Sequence, residues 1–315
     1  MLEYSIVIPV YNAEKSITRC VESILKNKKY NGEIVLVEDC STDQSFEICK
    51  NLDLKYPNVK LYRNDRNSGV SHTRNIGLKN ATGKYILFVD SDDWVAENYV
   101  DSLIEIEKNN EDSLIVCGYM NHDEKYNKKL DICVWSDSKQ NYNGRLTDIL
   151  EQLFDRNMLQ QLWNKVFLRE VIVNNQITFD ESISIGEDTR FILEYLKRSH
   201  IEKYYILNEP LYHYMRDNPN SLMYKVGTES IEEPLKNIKA MYELMELSEK
   251  SIQDLLEKKR GEYIELYSYL IMHNAGMSLR KKKKLIKELG ADSTGIFNKQ
   301  LKIYIKEKLS NVLKG

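Results

Sequence analysis

Short apolar runs alternate with amphipathic stretches over residues 1–90, and this alternation constrains the fold more than any other feature of the sequence. Runs rich in Ile, Val, Leu and aromatic residues predict buried strands, and the stretches between them predict helices. The predicted strands are Tyr4–Val10, Glu33–Glu38, Val59–Arg63 and Lys84–Val89, and the predicted helices are Ala13–Lys26, Asp43–Lys55 and Val70–Asn80. This order is typical of an α/β fold in which helices cover a mostly parallel sheet.

Beyond residue 98 the pattern is first mixed and then wholly helical. A polar segment at residues 121–145 is expected to be irregular. The other predicted elements are helices over Asn98–Asn109, Thr147–Asn157 and Glu187–Arg198 and strands over Ser113–Met120 and Ile201–Leu207. From Ser230 onward the apolar spacing is helical. We therefore expect one α/β domain over residues 1–222 and a C-terminal helical region over residues 223–315.

Composition excludes several classes of protein. The 315 residues are 42% hydrophobic and 30% charged, which is typical of a globular domain, and the net charge of −3 gives no overall attraction to nucleic acid. Five cysteines without metal-ligand spacing are expected to be reduced thiols. Neither a signal peptide nor an apolar run of ~20 residues is found, so we expect a cytoplasmic protein.

Polar residues follow three of the predicted strands at the point where each strand ends. They are Tyr11-Asn12, Glu38-Asp39 and Asp90-Ser91-Asp92-Asp93. Because the carboxyl ends of parallel strands share one edge of a sheet, these clusters are expected to meet there. Three carboxylates in four positions repel one another unless a cation neutralises them, and Mg²⁺ or Mn²⁺ prefers such oxygen ligands. The alternative is that Asp92 or Asp93 caps the next helix.

Two further segments contribute to this edge. Asp39 stands at a strand tip, where a carboxylate can accept the imide N–H of a uracil ring. Gly69 can turn the chain into the third helix, and Arg74 lies one turn further along. The alternative for this charged segment is a solvated loop and an exposed helix face.

Four motifs occur in order, each after its own strand, and together they resemble the signature of family 2 glycosyltransferases. The motifs are Ile-Pro9-Val-Tyr11-Asn12, Glu38-Asp39-Cys40-Ser41-Thr-Asp43, Asn67-Ser-Gly69-Val-Ser-His-Thr-Arg74-Asn75-Ile-Gly77 and Asp90-Ser91-Asp92-Asp93. The resemblance is dense over residues 4–100 and thins towards residue 222. It implies a GT-A fold, with a nucleotide-binding half at residues 1–100 and an acceptor half at residues 101–222. Glu38 and Cys40 stand where relatives often have Asp and Gly, which bears on the geometry of that loop.

The resemblance also implies roles for individual residues. Asp90 and Asp92 match the DXD motif, in which the second acid binds Mn²⁺ or Mg²⁺ with the diphosphate, and Asp93 is an extra acid that orients the donor sugar or caps a helix. The implied contacts to the nucleotide-sugar are Pro9, Tyr11, Asn12, Glu14, Asp39, Ser41, Arg74, Asn75, Asp90, Ser91 and Asp93. The implied metal ligands are Asp92, Asp90 and His213.

The later part of the chain contains candidate residues for the acceptor side. Glu187-Asp188 resembles the acidic pair of this inverting family, so Asp188 is the candidate base and Glu187 the second choice. At a helix N-terminus the carboxylate of Asp188 is expected to have a low pKa, although the alternative is that both acids only satisfy the first helical turn. Trp163, Asn164 and Lys165 resemble an acceptor landmark, with Trp163 as a platform for a sugar ring. Lone Trp and His residues are, however, frequently core residues.

These features predict an inverting, metal-assisted glycosyltransferase. It would move a hexose or N-acetylhexosamine from a UDP-sugar to a saccharide or lipid-linked acceptor in surface-polysaccharide assembly. A non-catalytic nucleotide-sugar-binding or scaffold protein is the alternative. Residues 280–315 hold eleven Lys or Arg against three Asp or Glu, and the run at 280–287 suggests peripheral attachment to an anionic membrane surface; a solvated face is the alternative.

Overall fold

The computed structural model describes residues 2–29, 31–123, 128–138, 140–216, 229–273, 278–289 and 295–312. The chain divides into two compact units, Met1–Pro219 and Asn220–Gly315. The predicted domain boundary at residue 222 lies outside the described residues. Each unit has its own apolar core and is described by itself.

The first unit contains ten strands and seven helices among its described residues. The strands are β1 (Tyr4–Val10), β2 (Gly32–Glu38), β3 (Val59–Arg63), β4 (Tyr85–Phe88), β5 (Trp94–Val95), β6 (Ser113–Asp123), β7 (Lys128–Cys133), β8 (Tyr142–Arg145), β9 (Phe167–Leu168) and β10 (Lys203–Arg216). The helices are α1 (Ile17–Ile24), α2 (Ser45–Lys55), α3 (Val70–Asn80), α4 (Tyr99–Asn109), α5 (Leu150–Asp155), α6 (Arg169–Asn174) and α7 (Glu187–Ser199), with a 3₁₀ turn at Leu146–Asp148.

The first sheet has the strand order β3-β2-β1-β4-β9. Its first four strands run parallel, and β9 pairs antiparallel with β4. Every residue of β2 and β4 is buried, as expected for parallel strands covered on both faces. Helix α3 packs so closely on β1 that a Cβ on Gly77 would lie only 2.2 Å from Val7 Cγ1. The predicted α/β fold with its mostly parallel sheet is therefore confirmed.

The second sheet corrects two expectations about the middle of the chain. It has the order β5-β10-β6-β7, with β8 also pairing with β10. Residues 121–145, expected to be irregular, contain the end of β6, the edge strand β7, and β8, which pairs with β10. Strand β10 continues to Arg216 rather than ending at Leu207. Register shifts on both sides of Pro210 accommodate the residue that lacks a backbone N–H.

The regular elements described in the second unit are all helices, as predicted. It consists of α8 (Glu229–Leu244), α9 (Glu249–His273), α10 (Leu279–Glu288) and α11 (Gly295–Val312). Its core contains Ile231, Leu235, Ile264, Ile271, Met272, Ile286 and Leu289. None of the helices that the structure describes is both long and apolar enough to cross a membrane.

Candidate active site

The loops that follow β1 and β2 are joined by hydrogen bonds at the carboxyl edge of the first sheet. Asn12 N donates to Ser41 Oγ (3.0 Å), and Thr42 N donates to Asn12 Oδ1 (2.9 Å). Glu14 Oε2 accepts from Gln44 N at 3.0 Å. Three of the predicted nucleotide contacts, Asn12, Glu14 and Ser41, therefore hold two loops together. Tyr11 remains 47% exposed at this edge, and Pro9 is partly buried in β1.

Cys40 adopts the left-handed backbone conformation, with φ 57°. Glycine adopts this conformation at little cost, and other residues adopt it rarely. Glu38, two residues before Cys40, has a fully buried side chain whose oxygens accept from Ser41 N (2.5 Å) and Arg63 Nε (2.9 Å). Glu38, which is longer than the Asp often found in relatives, thus stabilises the loop through these hydrogen bonds. Cys40 carries the backbone strain.

Asp39 connects the end of β2 to the start of α3. Its Oδ1 accepts from Asn64 Nδ2 and Ser68 N, each at 2.8 Å, and its Oδ2 accepts from Gly69 N at 2.9 Å. Gly69 has φ 88°, so the turn into α3 requires glycine. Asp39 therefore fixes the N-terminus of α3; the uracil contact expected of it stays a prediction.

Arg74 on α3 lies among three carboxylates from two distant parts of the chain. Its Nη1 is 2.6 Å from Asp188 Oδ1 and 3.5 Å from Glu187 Oε1, and its Nη2 is 3.1 Å from Asp90 Oδ1. The Arg74 side chain is only 5% exposed. Burial acts to lower the pKa of Arg74, but the three carboxylates raise it above its ordinary value, so the guanidinium is charged. The predicted base and the first acid of the DXD motif thus share one cation.

Asp188 and Glu187 occupy the first turn of α7, which begins after Gly186 in a left-handed conformation (φ 84°). Phe191, one turn later, stacks on Phe179 with ring centroids 4.2 Å apart and packs edge-on against Phe88. The Asp188 side chain is 23% exposed. Burial raises its pKa well above the ordinary value; Arg74 opposes this rise, and Glu187 and Asp90 add to it. The expected low pKa is therefore wrong, because burial and like charges outweigh the helix terminus.

The three acids after β4, Asp90, Asp92 and Asp93, have different surroundings. Asp90 is bound to Arg74, Ser91 is partly buried in the turn, and the backbone carbonyl of Asp92 accepts from Arg19 Nη2 at 2.7 Å. Asp93 is fully buried, and its oxygens accept from Tyr212 Oη and Met215 N, each at 2.7 Å. Asp93 thus anchors β10 rather than capping a helix, and we give it no part in donor binding.

The carboxylate oxygens at this edge fit a divalent cation that takes only one or two of its ligands from the protein. Burial first, and then Asp92 and Asp90, raise the pKa of Asp93, so the three carboxylates influence one another. No group of three or more His, Cys, Asp or Glu side chains arranged to hold a metal occurs in the described part of the chain. Mg²⁺ is usually held by one or two carboxylates together with waters and substrate phosphates, so Asp92 and Asp90 are the residues that would hold such an ion.

His213 does not join Asp90 and Asp92 as predicted. Its ring stacks on Trp94, with centroids 4.9 Å apart, and its Nδ1 lies 2.9 Å from His122 Nε2. Arg19 covers the Trp94 ring, with Cζ 4.1 Å from the centroid. We therefore propose no metal role for His213. The side chain of Arg216 and the whole of residues 217–222 lie outside the described residues.

The three predicted acceptor residues are core residues. Trp163 is 2% exposed and stacks on Tyr212 at 4.2 Å, and Asn164 and Lys165 are fully buried. Lys165 Nζ donates to Met158 O, Gln161 O and Asn164 Oδ1, each at 2.7 Å, although burial lowers its pKa. The expectation of an acceptor surface is corrected: these side chains support the strand ends from inside.

Sequence reasoning missed the contacts that join α3 to the segment before α7. Asn75, predicted to contact the nucleotide, donates through Nδ2 to Phe179 O (2.9 Å) and accepts through Oδ1 from Phe179 N (2.8 Å). His72 Nδ1 lies 3.0 Å from Glu181 Oε2. Only the placement of His72, Arg74 and Asn75 on one helix hinted at this role, and their respective partners Glu181, Asp188 and Phe179 lie more than 100 residues away.

Comparison with known proteins decides the family. The model of "Glycosyl transferase family 2" matches residues 5–172. The chain belongs to glycosyltransferase family 2. The resemblance drawn from the four motifs is thereby confirmed.

Two curated bacterial proteins illustrate the relatives of this chain. The chain is 32% identical to an uncharacterised glycosyltransferase, EpsJ of Bacillus subtilis, over 69% of this chain and 62% of that protein. It is 29% identical to the minor teichoic acid biosynthesis protein GgaB of B. subtilis, over 91% of this chain and 30% of that protein. The chain thus spans less than two thirds of the length of these relatives.

A solved structure supports the fold independently. Staphylococcus aureus TarS 1–349, crystallised with UDP-GlcNAc, aligns with a TM-score of 0.64 over 97% of this chain and 92% of that chain, at 18% identity. This likeness shows the GT-A fold of the family 2 domain.

Proposed function

We propose that this protein is an inverting glycosyltransferase that moves a hexose or N-acetylhexosamine from a UDP-sugar to a saccharide or lipid-linked saccharide acceptor. The observation that carries the proposal is the convergence of Asp90 and Asp188 on one guanidinium. A single displacement needs a base on the side opposite the leaving diphosphate, and this arrangement offers Asp188 as that base and Asp90 for the diphosphate side. The UDP and UDP-GlcNAc complexes of TarS support the choice of a UDP-sugar as donor.

In this proposal some residues of the chain act on the UDP-sugar donor and others act on the acceptor. Tyr11, whose ring is exposed, would contact the uracil, and Asp90 and Asp92 would face the departing diphosphate. Mn²⁺ or Mg²⁺ bound there with Asp92 would neutralise charge on the departing UDP. Asp188 takes the proton of the acceptor hydroxyl, and the raised pKa of this carboxyl makes it a stronger base than an ordinary aspartate.

The experiment combines a donor screen with a base variant. Release of UDP is measured across common UDP-sugars, with Mn²⁺ and with EDTA, for the wild type and for Asp188→Asn. We expect Asp188→Asn to bind UDP normally and to lose transfer by about a hundredfold or more. Glu194→Gln on the same helix, which alters a surface pair with Arg198, is the matched control. Full transfer by Asp188→Asn would refute the base, and UDP binding without transfer by the wild type would favour a scaffold.

We also propose peripheral attachment to an anionic membrane through α10. Five of its basic residues have exposed side chains: Arg280, Lys281, Lys283, Lys284 and Lys287. Lys282 is buried, because its Nζ donates to Met272 O and lies over the Tyr304 ring. The exposed apolar side chain of Leu279 begins the same helix. Each basic residue near an anionic surface contributes about 1 kcal/mol, so five provide substantial attraction.

A further inference from the structure

Arg74 was expected to hold the nucleotide, but its contacts in this structure are to carboxylates. Two of its nitrogens reach three acids, and the shortest contact, 2.6 Å, is to Asp188 Oδ1. The third nitrogen, Nε, is buried without a hydrogen-bond partner among the described residues. The hydrogen bonding of this guanidinium is thus directed at the acids and is strongest towards the candidate base.

The position of Arg74 is fixed by protein contacts. Its guanidinium lies over the Phe179 ring, 5.5 Å from the centroid, and Asn75, the next residue of α3, holds the backbone of Phe179 through two hydrogen bonds. Phe179 in turn stacks on Phe191 of α7. Arg74 and Asp188 therefore meet on an aromatic support built from residues of this chain.

The electrostatic setting gives Arg74 a distinct task. Asp188 is faced by two like charges, Glu187 and Asp90, and by two cations, Arg74 and Lys165. Lys165 is buried with all three Nζ hydrogen bonds made to other acceptors, so Arg74 is the cation in contact with Asp188. Without it, burial and both neighbouring acids would favour the neutral acid, which cannot accept a proton.

We propose that Arg74 is a positioning residue that orients the Asp188 carboxylate and keeps it ionised for the acceptor hydroxyl. The inference rests on the proposed function, because it takes Asp188 as the base. It assigns to the acceptor side a residue that the motif pattern placed on the donor side.

The test follows the titration of Asp188 directly. Protein labelled with ¹³C at aspartate carboxyl carbons is titrated by NMR, and the Asp188 signal is identified by its loss in Asp188→Asn. The variants are Arg74→Met, which removes the charge, and Arg74→Lys, which keeps the charge but not the forked geometry. Lys79→Met, at an exposed position of the same helix, is the matched control. Affinity for UDP is measured calorimetrically for each protein.

We expect the Asp188 midpoint to rise by about one to three pH units in Arg74→Met and to stay unchanged in Lys79→Met. Arg74→Lys should keep the midpoint within about one unit and lower kcat by about tenfold or more, with a smaller change in the donor KM. An unmoved midpoint in folded Arg74→Met overturns the proposal. So does a loss of UDP affinity that accounts for the whole loss of activity.

Two further results would be interpreted as follows. If circular dichroism shows that Arg74→Met is unfolded, Arg74→Lys decides: a lowered kcat supports the proposal and an unchanged kcat overturns it. The titration needs no sugar transfer. Failure of the wild type to transfer any sugar would therefore count against the proposed function and leave the Arg74 result standing.

Discussion

Arg74 Nη1 lies 2.6 Å from Oδ1 of Asp188, a residue 114 positions further along the chain. The same guanidinium binds Asp90, at the end of β4. This one side chain therefore connects the strand edge of the DXD acids to the helix that presents the candidate base. Because Asp90 and Asp188 both bind the buried Arg74 guanidinium, the charge on each carboxylate influences the other.

The raised pKa of Asp188 predicts where activity is lost on acidification. A base must be ionised, so kcat/KM should fall as the pH drops through the pKa of Asp188, and burial places that point well above the ordinary aspartate value of about 4. A pH profile of UDP release at low donor concentration measures it. Glu194→Gln should give the same profile. An acid limb at pH 4 or below would contradict the assignment.

Cys40→Gly should stabilise the first unit. Cys40 adopts φ 57°, a conformation that costs a non-glycine residue about 1–2 kcal/mol, so we expect a gain of about 1 kcal/mol in the free energy of unfolding. Denaturant unfolding measures the gain. Cys40→Ala removes the same thiol and keeps the strain, and it should show no such gain. Equal stability of the two variants would show that the backbone conformation is not the cause.

Glu107→Gln should become more stabilising as the pH rises. Glu107 on α4 is 2% exposed; burial and then the nearby Glu111 raise its pKa to about 8 from 4.5. Between these values the unfolded chain releases a proton that the folded chain keeps, so the wild type loses about 1.4 kcal/mol of stability per pH unit through this group. Unfolding curves at pH 5 and pH 8 measure the difference. The exposed Glu202→Gln is the control, and a pH-independent effect of Glu107→Gln would refute the prediction.

Reversing charge on α10 should weaken vesicle binding. The double variant Lys281→Glu/Lys284→Glu removes two exposed cations, worth about 1 kcal/mol each, so affinity should fall by about thirtyfold or more. Sedimentation with vesicles of phosphatidylcholine containing phosphatidylglycerol measures it, at low and high salt. Lys50→Glu/Lys60→Glu, on the first unit, gives the same change in net charge. An equal loss in both variants would indicate attraction by net charge without a specific surface.

The first half of the fold could be predicted because its pattern is local. The ranges Tyr4–Val10, Val59–Arg63 and Val70–Asn80 are observed as predicted. Tyr4–Val10 shows why, because a buried parallel strand is a continuous apolar run. Strands β7 and β8 escaped notice because polar strands at or near a sheet edge lack that signal. The end of β10 was misplaced because Pro210 indicates a break, whereas the register shifts around it allow the strand to continue.

The site was predictable by location and less so by role. The strand-end rule placed Asp39, Arg74 and Asp90 at one edge, but it does not give the partner of a side chain. Trp163 and Asp93 illustrate the difference, because the sequence shows the residue type and does not show whether the side chain faces a ligand or the core. Which of these applies depends on residues such as Tyr212, which packs on Trp163 and binds Asp93.

The hydrogen bonds from Asn75 to Phe179 have a consequence for exchanging parts between related enzymes. A chimera that took residues 1–100 from one protein and the remainder from another would pair an α3 from one parent with an incoming 179–188 segment from the other. In such a hybrid the residue at position 75 would face the backbone of a segment taken from the other parent. Transplanting the two segments as a matched set is therefore the rational way to recombine donor and acceptor preferences in this scaffold.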